Sequence, residues 1–186
     1  INAGDGCHAH PTQALLDMYT VRRRLGRLSG LRAVLVGDIL HSRVARSNLW
    51  AMTTLGMEVT LCGPPSLMPW PNGSTDGQWP LAKMETDLDR ALEGADLVMG
   101  LRLQLERQQQ GLLPSIREYV RSYQITAQRL ARARPGALLL HPGPVNEGVE
   151  LTPEVAHGLQ SVIDEQVTNG VAIRMALLYL LLGRGQ

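Results

Sequence analysis

Four short stretches of this sequence carry side chains suited to chemistry. The first is His10-Pro11-Thr12-Gln13. Proline at the first helical position gives up an N–H that would be unpaired anyway, so Pro11 predicts a helix with His10 at its N-terminal mouth and Gln13 in its first turn. Free N–H groups and the helix dipole make such a mouth suit an anion or a polarised carbonyl. A neutral histidine can donate to a carbonyl oxygen, and a glutamine amide can hold an NH2 group. On spacing alone, a histidine that merely caps a helix accounts for His10 equally well.

The second stretch is Gly37-Asp38-Ile39-Leu40-His41-Ser42-Arg43-Val44-Ala45-Arg46-Ser47. It contains neither G-x-G-x-x-G nor Gly-Lys-Ser/Thr, so it is neither a dinucleotide fingerprint nor a P-loop. Arg43 and Arg46 each offer a bidentate fork for a carboxylate; Arg46 reads better as a surface residue. The third is Leu101-Arg102-Leu103-Gln104-Leu105-Glu106-Arg107. In an extended chain Arg102 and Gln104 point the same way and can share one carboxylate, although edge-exposed polar residues among leucines would look the same. Glu106 and Arg107 read as structural charges. The fourth is His141-Pro142-Gly143-Pro144. Its prolines fix the backbone and its glycine permits close approach, so it presents carbonyls, with His141 expected to hold the turn by a hydrogen bond. The inventory has no Ser-His-Asp set, metal cluster or carboxylate pair. It suits a reaction driven by orientation and charge stabilisation more than by an enzymic nucleophile.

These stretches need a scaffold, and the sequence supplies one. Apolar runs at Arg32–Gly37, Glu58–Cys62, Asp96–Leu101 and Ala137–His141 lack polar alternation, as parallel strands covered on both faces do. Helical patterns lie between them at Ser42–Leu55, Thr86–Leu92, Ser115–Ser122 and Thr126–Arg132, with Gly56, Gly94 and Gly136 as stops. The alternation predicts an α/β fold, a doubly wound parallel sheet flanked by helices. Two further helices frame it, about Pro11–Arg24 and about Gln160–Leu182. The last carries apolar residues at helical spacing and is apolar nearly all round at Leu177–Leu182, so it calls for a partner surface. The stretch Gly63–Pro80 reads as a long irregular connection, with a short helical turn at Ser66–Met68.

Composition excludes several classes. A formal net charge of +1 recruits neither nucleic acid nor an anionic membrane. The longest apolar run, Met175–Leu182, is too short to span a bilayer. Cys7 and Cys62 have no C-x-x-C spacing and read as reduced thiols of a cytoplasmic protein. The opening residues Ile1 to Gly6 have neither a basic n-region nor an apolar h-region, so they do not read as a secretory signal. The sequence opens in mid-motif without an initiator Met, which points to a fragment of a longer chain.

Taken in order, the motifs resemble the aspartate carbamoyltransferase catalytic chain. They are Asn2-Ala3-Gly4-Asp5-Gly6, His10-Pro11-Thr12-Gln13-Ala14-Leu15-Leu16-Asp17, Val36-Gly37-Asp38, Arg43-Val44-Ala45-Arg46-Ser47, Met99-Gly100-Leu101-Arg102-Leu103-Gln104, His141-Pro142-Gly143-Pro144 and Glu165-Gln166-Val167-Thr168-Asn169-Gly170-Val171. Ornithine carbamoyltransferase shares the His-Pro-x-Gln element but carries a His-Cys-Leu-Pro turn in place of the last loop. The resemblance implies carbamoyl transfer from carbamoyl phosphate to L-aspartate in pyrimidine synthesis, without cofactor or metal. It implies that His10 polarises the carbamoyl oxygen and that Gln13, with main-chain groups of Pro142, Gly143 and Pro144, holds the carbamoyl NH2. It implies that Arg43, Arg102 and Gln104 bind L-aspartate.

The family's Ser-x-Arg-Thr phosphate motif does not occur in this chain, and Glu147 stands where relatives commonly have arginine. The resemblance therefore implies an aspartate-binding half, inactive by itself. It divides into an interdomain helix at 1–26, an aspartate-binding domain at 27–158, and a C-terminal helix at 159–186 that packs back on a carbamoyl phosphate domain. The full-length chain is expected to be a homotrimer, open to regulatory or dihydroorotase partner chains. The competing reading is a non-catalytic, carbamoyltransferase-like scaffold subunit.

Overall fold

The computed structural model describes residues 1–6, 8–69, 81–103 and 115–183. Five strands, β1 (Arg32–Val36), β2 (Glu58–Cys62), β3 (Lys83–Glu85), β4 (Leu97–Gly100) and β5 (Leu138–Leu140), form one sheet in the order β3-β2-β1-β4-β5. Every pairing is parallel, with Val34 opposite Thr60 on one side and Val98 on the other. The chain leaves β1 toward β2 and β3, then returns to the far side of β1 with β4 and β5. The β1–β4 boundary is therefore the point where the winding reverses, the usual place for a ligand crevice at the carboxyl ends of the strands.

The sheet is buried on both faces because its residues alternate between two apolar cores. Ala33, Leu35, Val59, Leu61, Leu97, Met99, Leu138 and Leu140 face helices α1 (Pro11–Leu25) and α2 (Arg43–Thr54) through Met18, Val21, Leu49 and Met52. Val34, Val36, Cys62, Val98 and Leu139 face α3 (Leu88–Leu92), α4 (Ile116–Tyr123), α5 (Ala127–Leu130) and α6 (Pro153–Ala156). Helix α7 (Ile163–Leu182) packs on α1, which also packs on α2.

The doubly wound parallel sheet is thus as the sequence predicts, with local differences. Strand β3 escapes prediction because its three residues carry two charges and one apolar side chain, too short a run for periodicity to register. Helix α3 starts at Leu88 because the Asp87 side chain caps it, accepting from the Arg90 N–H at 3.2 Å. Helix α7 starts at Ile163, and α6 is a single turn that the sequence reading passes over. The apolar end of α7 finds no cover within the described residues: Val171, Met175, Leu178 and Leu182 are exposed. Among the described residues, no helix is long and apolar enough to cross a membrane.

Candidate active site

The carboxyl ends of β1, β4 and β5, around the winding reversal, each deliver one wall of a single cleft. The β1 loop supplies Asp38, His41 and Arg43; the β4 end supplies Arg102; the β5 end supplies Pro142, Gly143 and Pro144; and the mouth of α1 supplies His10 and Gln13. The cleft encloses about 230 Å³, room for a small polar molecule. His10, Gln13, Arg43, Arg102 and the 142–144 turn, the described residues that the resemblance assigns to the site, therefore meet in one place. Gln104 lies outside the described residues, as do Glu106 and Arg107. Arg46 does not line the cleft.

Helix α1 begins as its sequence requires, with Pro11 at N1 and the Gln13 and Ala14 N–H groups bonded back to the His10 carbonyl. The His10 N–H donates to Ser47 Oγ at 2.8 Å, which ties this mouth to α2. Desolvation, then Arg43 and Arg174, hold the His10 imidazole below its ordinary pKa, so it is neutral at pH 7. That is the form able to donate to a carbonyl oxygen without carrying charge.

Arg43 opens α2, whose Ser42 cap accepts the Ala45 N–H at 3.1 Å. His41 turns back on Asp38, its Nδ1 at 2.9 Å from Oδ1 and its N–H at 3.2 Å from the same oxygen. This pair borders the cleft beside Arg43 and was not singled out from the sequence, although both residues fall in the quoted loop. Buried Glu150 fastens the β4 and β5 loops together. It accepts from the Leu103 N–H at 2.8 Å, the Asn146 N–H at 2.7 Å and Asn146 Nδ2 at 2.7 Å. Arg102 and the proline turn are thereby set in fixed relation.

The proline turn presents only acceptors. Pro142 and Pro144 have no N–H, and the Gly143 N–H is spent on His141 Nδ1 at 3.0 Å. Gly143 has φ +67°, a conformation natural to glycine, and the Gly143–Pro144 peptide is cis. His141 holds the turn by this hydrogen bond, as the sequence reading expects. Burial, then Arg102, push its pKa down to about 4, so its approach of 3.7 Å to Glu150 is not an ion pair at neutral pH. Among the described residues no grouping of three or more His, Cys, Asp or Glu is placed to hold a metal ion.

Asp17 closes the quoted His10–Asp17 motif, but the sequence assigns it no role. Its carboxylate is fully buried below Gln13 and accepts three amide NH2 groups, from Gln13 (2.9 Å), Asn48 (2.8 Å) and Gln166 (2.7 Å). A signal existed, since Asp17 is a charge four residues from Gln13 within the buried stripe Gln13, Ala14, Asp17, Met18, Val21.

Fold and cleft define a doubly wound α/β ligand-binding domain with its site at the winding reversal. Comparison narrows the class. Residues 29–181 match the family described as aspartate/ornithine carbamoyltransferase, Asp/Orn binding domain, and the chain belongs to that family. It is 61% identical over 183 residues to the aspartate carbamoyltransferase catalytic subunit of Roseiflexus sp. (strain RS-1), spanning 98% of this chain but 57% of that relative. Among solved structures, ornithine carbamoyltransferase from Thermus thermophilus superposes with a TM-score of 0.81 at 28% identity, over 97% of this chain and 58% of that one. Aspartate transcarbamoylase from Trypanosoma cruzi in complex with carbamoyl aspartate and phosphate gives 0.78 at 30%, over 96% and 56%. The chain thus spans little more than half the length of these relatives.

Proposed function

We propose that this chain is the aspartate-binding half of an aspartate carbamoyltransferase acting in pyrimidine synthesis. The reaction transfers the carbamoyl group of carbamoyl phosphate to L-aspartate, giving N-carbamoyl-L-aspartate and phosphate. The observation that supports this most directly is the meeting of His10, Gln13, Arg43, Arg102 and the 142–144 turn around one cleft. Arg43 and Arg102 take the two carboxylates of the acceptor, a fork for each. The carbamoyl NH2 lies between Gln13 and the turn carbonyls, and neutral His10 donates to the carbamoyl oxygen. The aspartate amine then forms its C–N bond as the C–O bond to phosphate breaks, and the departing phosphate takes the amine proton. The protein supplies orientation and oxyanion stabilisation, and no side chain need act as nucleophile.

In this reading the phosphate grip lies in an N-terminal carbamoyl phosphate domain, on which the exposed face of α7 packs. The assembly is a cytoplasmic homotrimer. The test is reconstitution. Co-expression of this chain with the N-terminal half of a relative should yield carbamoyl aspartate, and Arg102→Ala should abolish it while the complex still forms. Titration calorimetry of the chain with succinate gives an independent check: no binding to a well-folded sample, at any accessible concentration, would favour a non-catalytic role.

A further inference from the structure

An amide has one donor end and one acceptor end, and a neighbour that only accepts decides which way it faces. Asp17 is such a neighbour to three amides at once. The side chains that meet its carboxylate from α1, α2 and α7 are Gln13, Asn48 and Gln166, all uncharged. With Nε2 of Gln13 held at Asp17 Oδ1, the end Gln13 can offer the cleft is its oxygen. With Nε2 of Gln166 held at the same Oδ1, its oxygen faces away and accepts the backbone N–H of His141 at 2.9 Å, which anchors the residue that begins the proline turn. His141 in turn accepts the Gly143 N–H and strips the proline turn of its last donor. Asn48 obeys the same polarity: its NH2 donates to Asp17 and to the Val44 carbonyl, although its buried Oδ1 then has no hydrogen-bond partner among the described residues.

We propose that Asp17 is a positioning residue that sets the hydrogen-bond polarity of the cleft, so that both walls present acceptors and the site selects a donor bearing an NH2 over one of the same shape without it. This rests on the reading of Gln13 and the 142–144 turn as the carbamoyl site. Asp17 touches no substrate; it acts through Gln13 on one wall, and through Gln166 it holds the backbone of His141, whose ring takes the last donor of the other.

The test compares carbamoyl phosphate with acetyl phosphate, which carries a methyl in place of the NH2, as donors in the enzyme reconstituted from this chain and an N-terminal half. The readout is the ratio of their kcat/KM values. Asp17→Leu should lower that ratio by roughly tenfold or more, with the KM for aspartate unchanged. Asp17→Asn should restore it in large part, because its Oδ1 can still accept from Gln13 and Gln166, although its NH2 then faces the Asn48 NH2, which the Val44 carbonyl holds in place. A purely structural role predicts instead that both variants raise the aspartate KM and leave the donor ratio alone, which would overturn the proposal. Gln13→Met separates the two levels. If it leaves the ratio intact, the reading of Gln13 fails; if it lowers the ratio while a folded Asp17→Leu does not, only the role of Asp17 fails.

Should Asp17→Leu not fold, NMR of the unsubstituted chain decides. The side-chain NH2 resonances of Gln13 and Gln166 should move with the Asp17 carboxyl carbon, with one midpoint near 6. A Gln13 amide indifferent to that titration would overturn the proposal.

Discussion

The guanidinium of Arg43 lies directly against Gly4. A Cβ on Gly4 would sit 2.8 Å from Arg43 Nη1 and 2.9 Å from its Cζ, and the glycine holds φ +128°, which other residues rarely adopt. The segment before α1 is thus a brace for the arginine assigned to the acceptor. Its shape comes from the Asn2 Oδ1 and Asp5 Oδ1 acceptors, which take the Gly4 and Ala9 N–H groups at 2.8 and 2.7 Å. Gly4→Ala should displace Arg43 and weaken succinate binding by about 1 kcal/mol, roughly fivefold. Calorimetry on the chain measures this, and an unchanged affinity would show that Arg43 does not depend on the brace.

Glu150 gathers three donors, the buried Leu103 N–H and the half-buried N–H and Nδ2 of Asn146. Glu150→Ala should cost about 1–3 kcal/mol in urea unfolding, because the buried Leu103 N–H loses its acceptor and the Asn146 donors keep only the bond from Nδ2 to the Leu103 carbonyl. It should also uncouple Arg102 from the proline turn, so that ligand affinity falls along with stability.

Two buried groups near the cleft oppose one another in their pH dependence. Burial raises Asp17 from 3.8 to about 6 against the stabilising amide donors, so its contribution is fully present below pH 3.8 and is lost as pH rises through about 6. Burial lowers His141 from 6.5 to about 4, so its contribution is present above pH 6.5 and is lost as pH falls through about 4. Across the shared window the two slopes offset. His141→Asn removes one of them and keeps an acceptor for the Gly143 N–H. Relative to the unsubstituted chain, it should gain stability at pH 4.5 compared with pH 7, by on the order of 2 kcal/mol. Urea unfolding at the two pH values reads the difference, and parallel changes would contradict the assignment of a neutral His141.

The exposed stripe of α7 should behave as sticky surface. Val167, Val171, Met175, Leu178 and Leu182 follow helical spacing and are 47–73% exposed. The chain should bind a hydrophobic dye and self-associate in sedimentation. The double substitution Val171→Lys, Leu178→Lys should reduce both effects and leave the melting temperature within a few degrees. Persistent self-association would locate the contact elsewhere.

The central strands were legible in sequence because a parallel strand covered on both faces must be apolar at every position, as Leu97–Gly100 is. The helices were legible from Pro11 at the start of α1 and from the glycine stops at Gly56, Gly94 and Gly136; the caps Ser42 and Ser115, which accept the N–H three residues on, emerge only in the folded chain. Strand β3 was not, since pairing with β2 at the sheet edge demands little of its side chains. The cleft residues were legible as isolated motifs with an ordinary alternative beside each; what the folded chain adds is their convergence. Asp17, Asn48 and Gln166 were hidden for a different reason. They lie 31 to 149 residues apart in sequence, and only the packing of α1 against α2 and α7 brings their polar ends together.

The proline turn has one further consequence. A wall made of carbonyl oxygens attracts N–H groups and repels oxyanions. A molecule with an amide at one end and a phosphate at the other meets opposite forces at that wall, and only one heading is tolerated. On the reading proposed above, the turn therefore acts as a polariser of approach: it admits the donor amide-first and sends the charged leaving group away from its three carbonyls. Direction of entry and direction of exit are then set by the same three residues, before any bond changes.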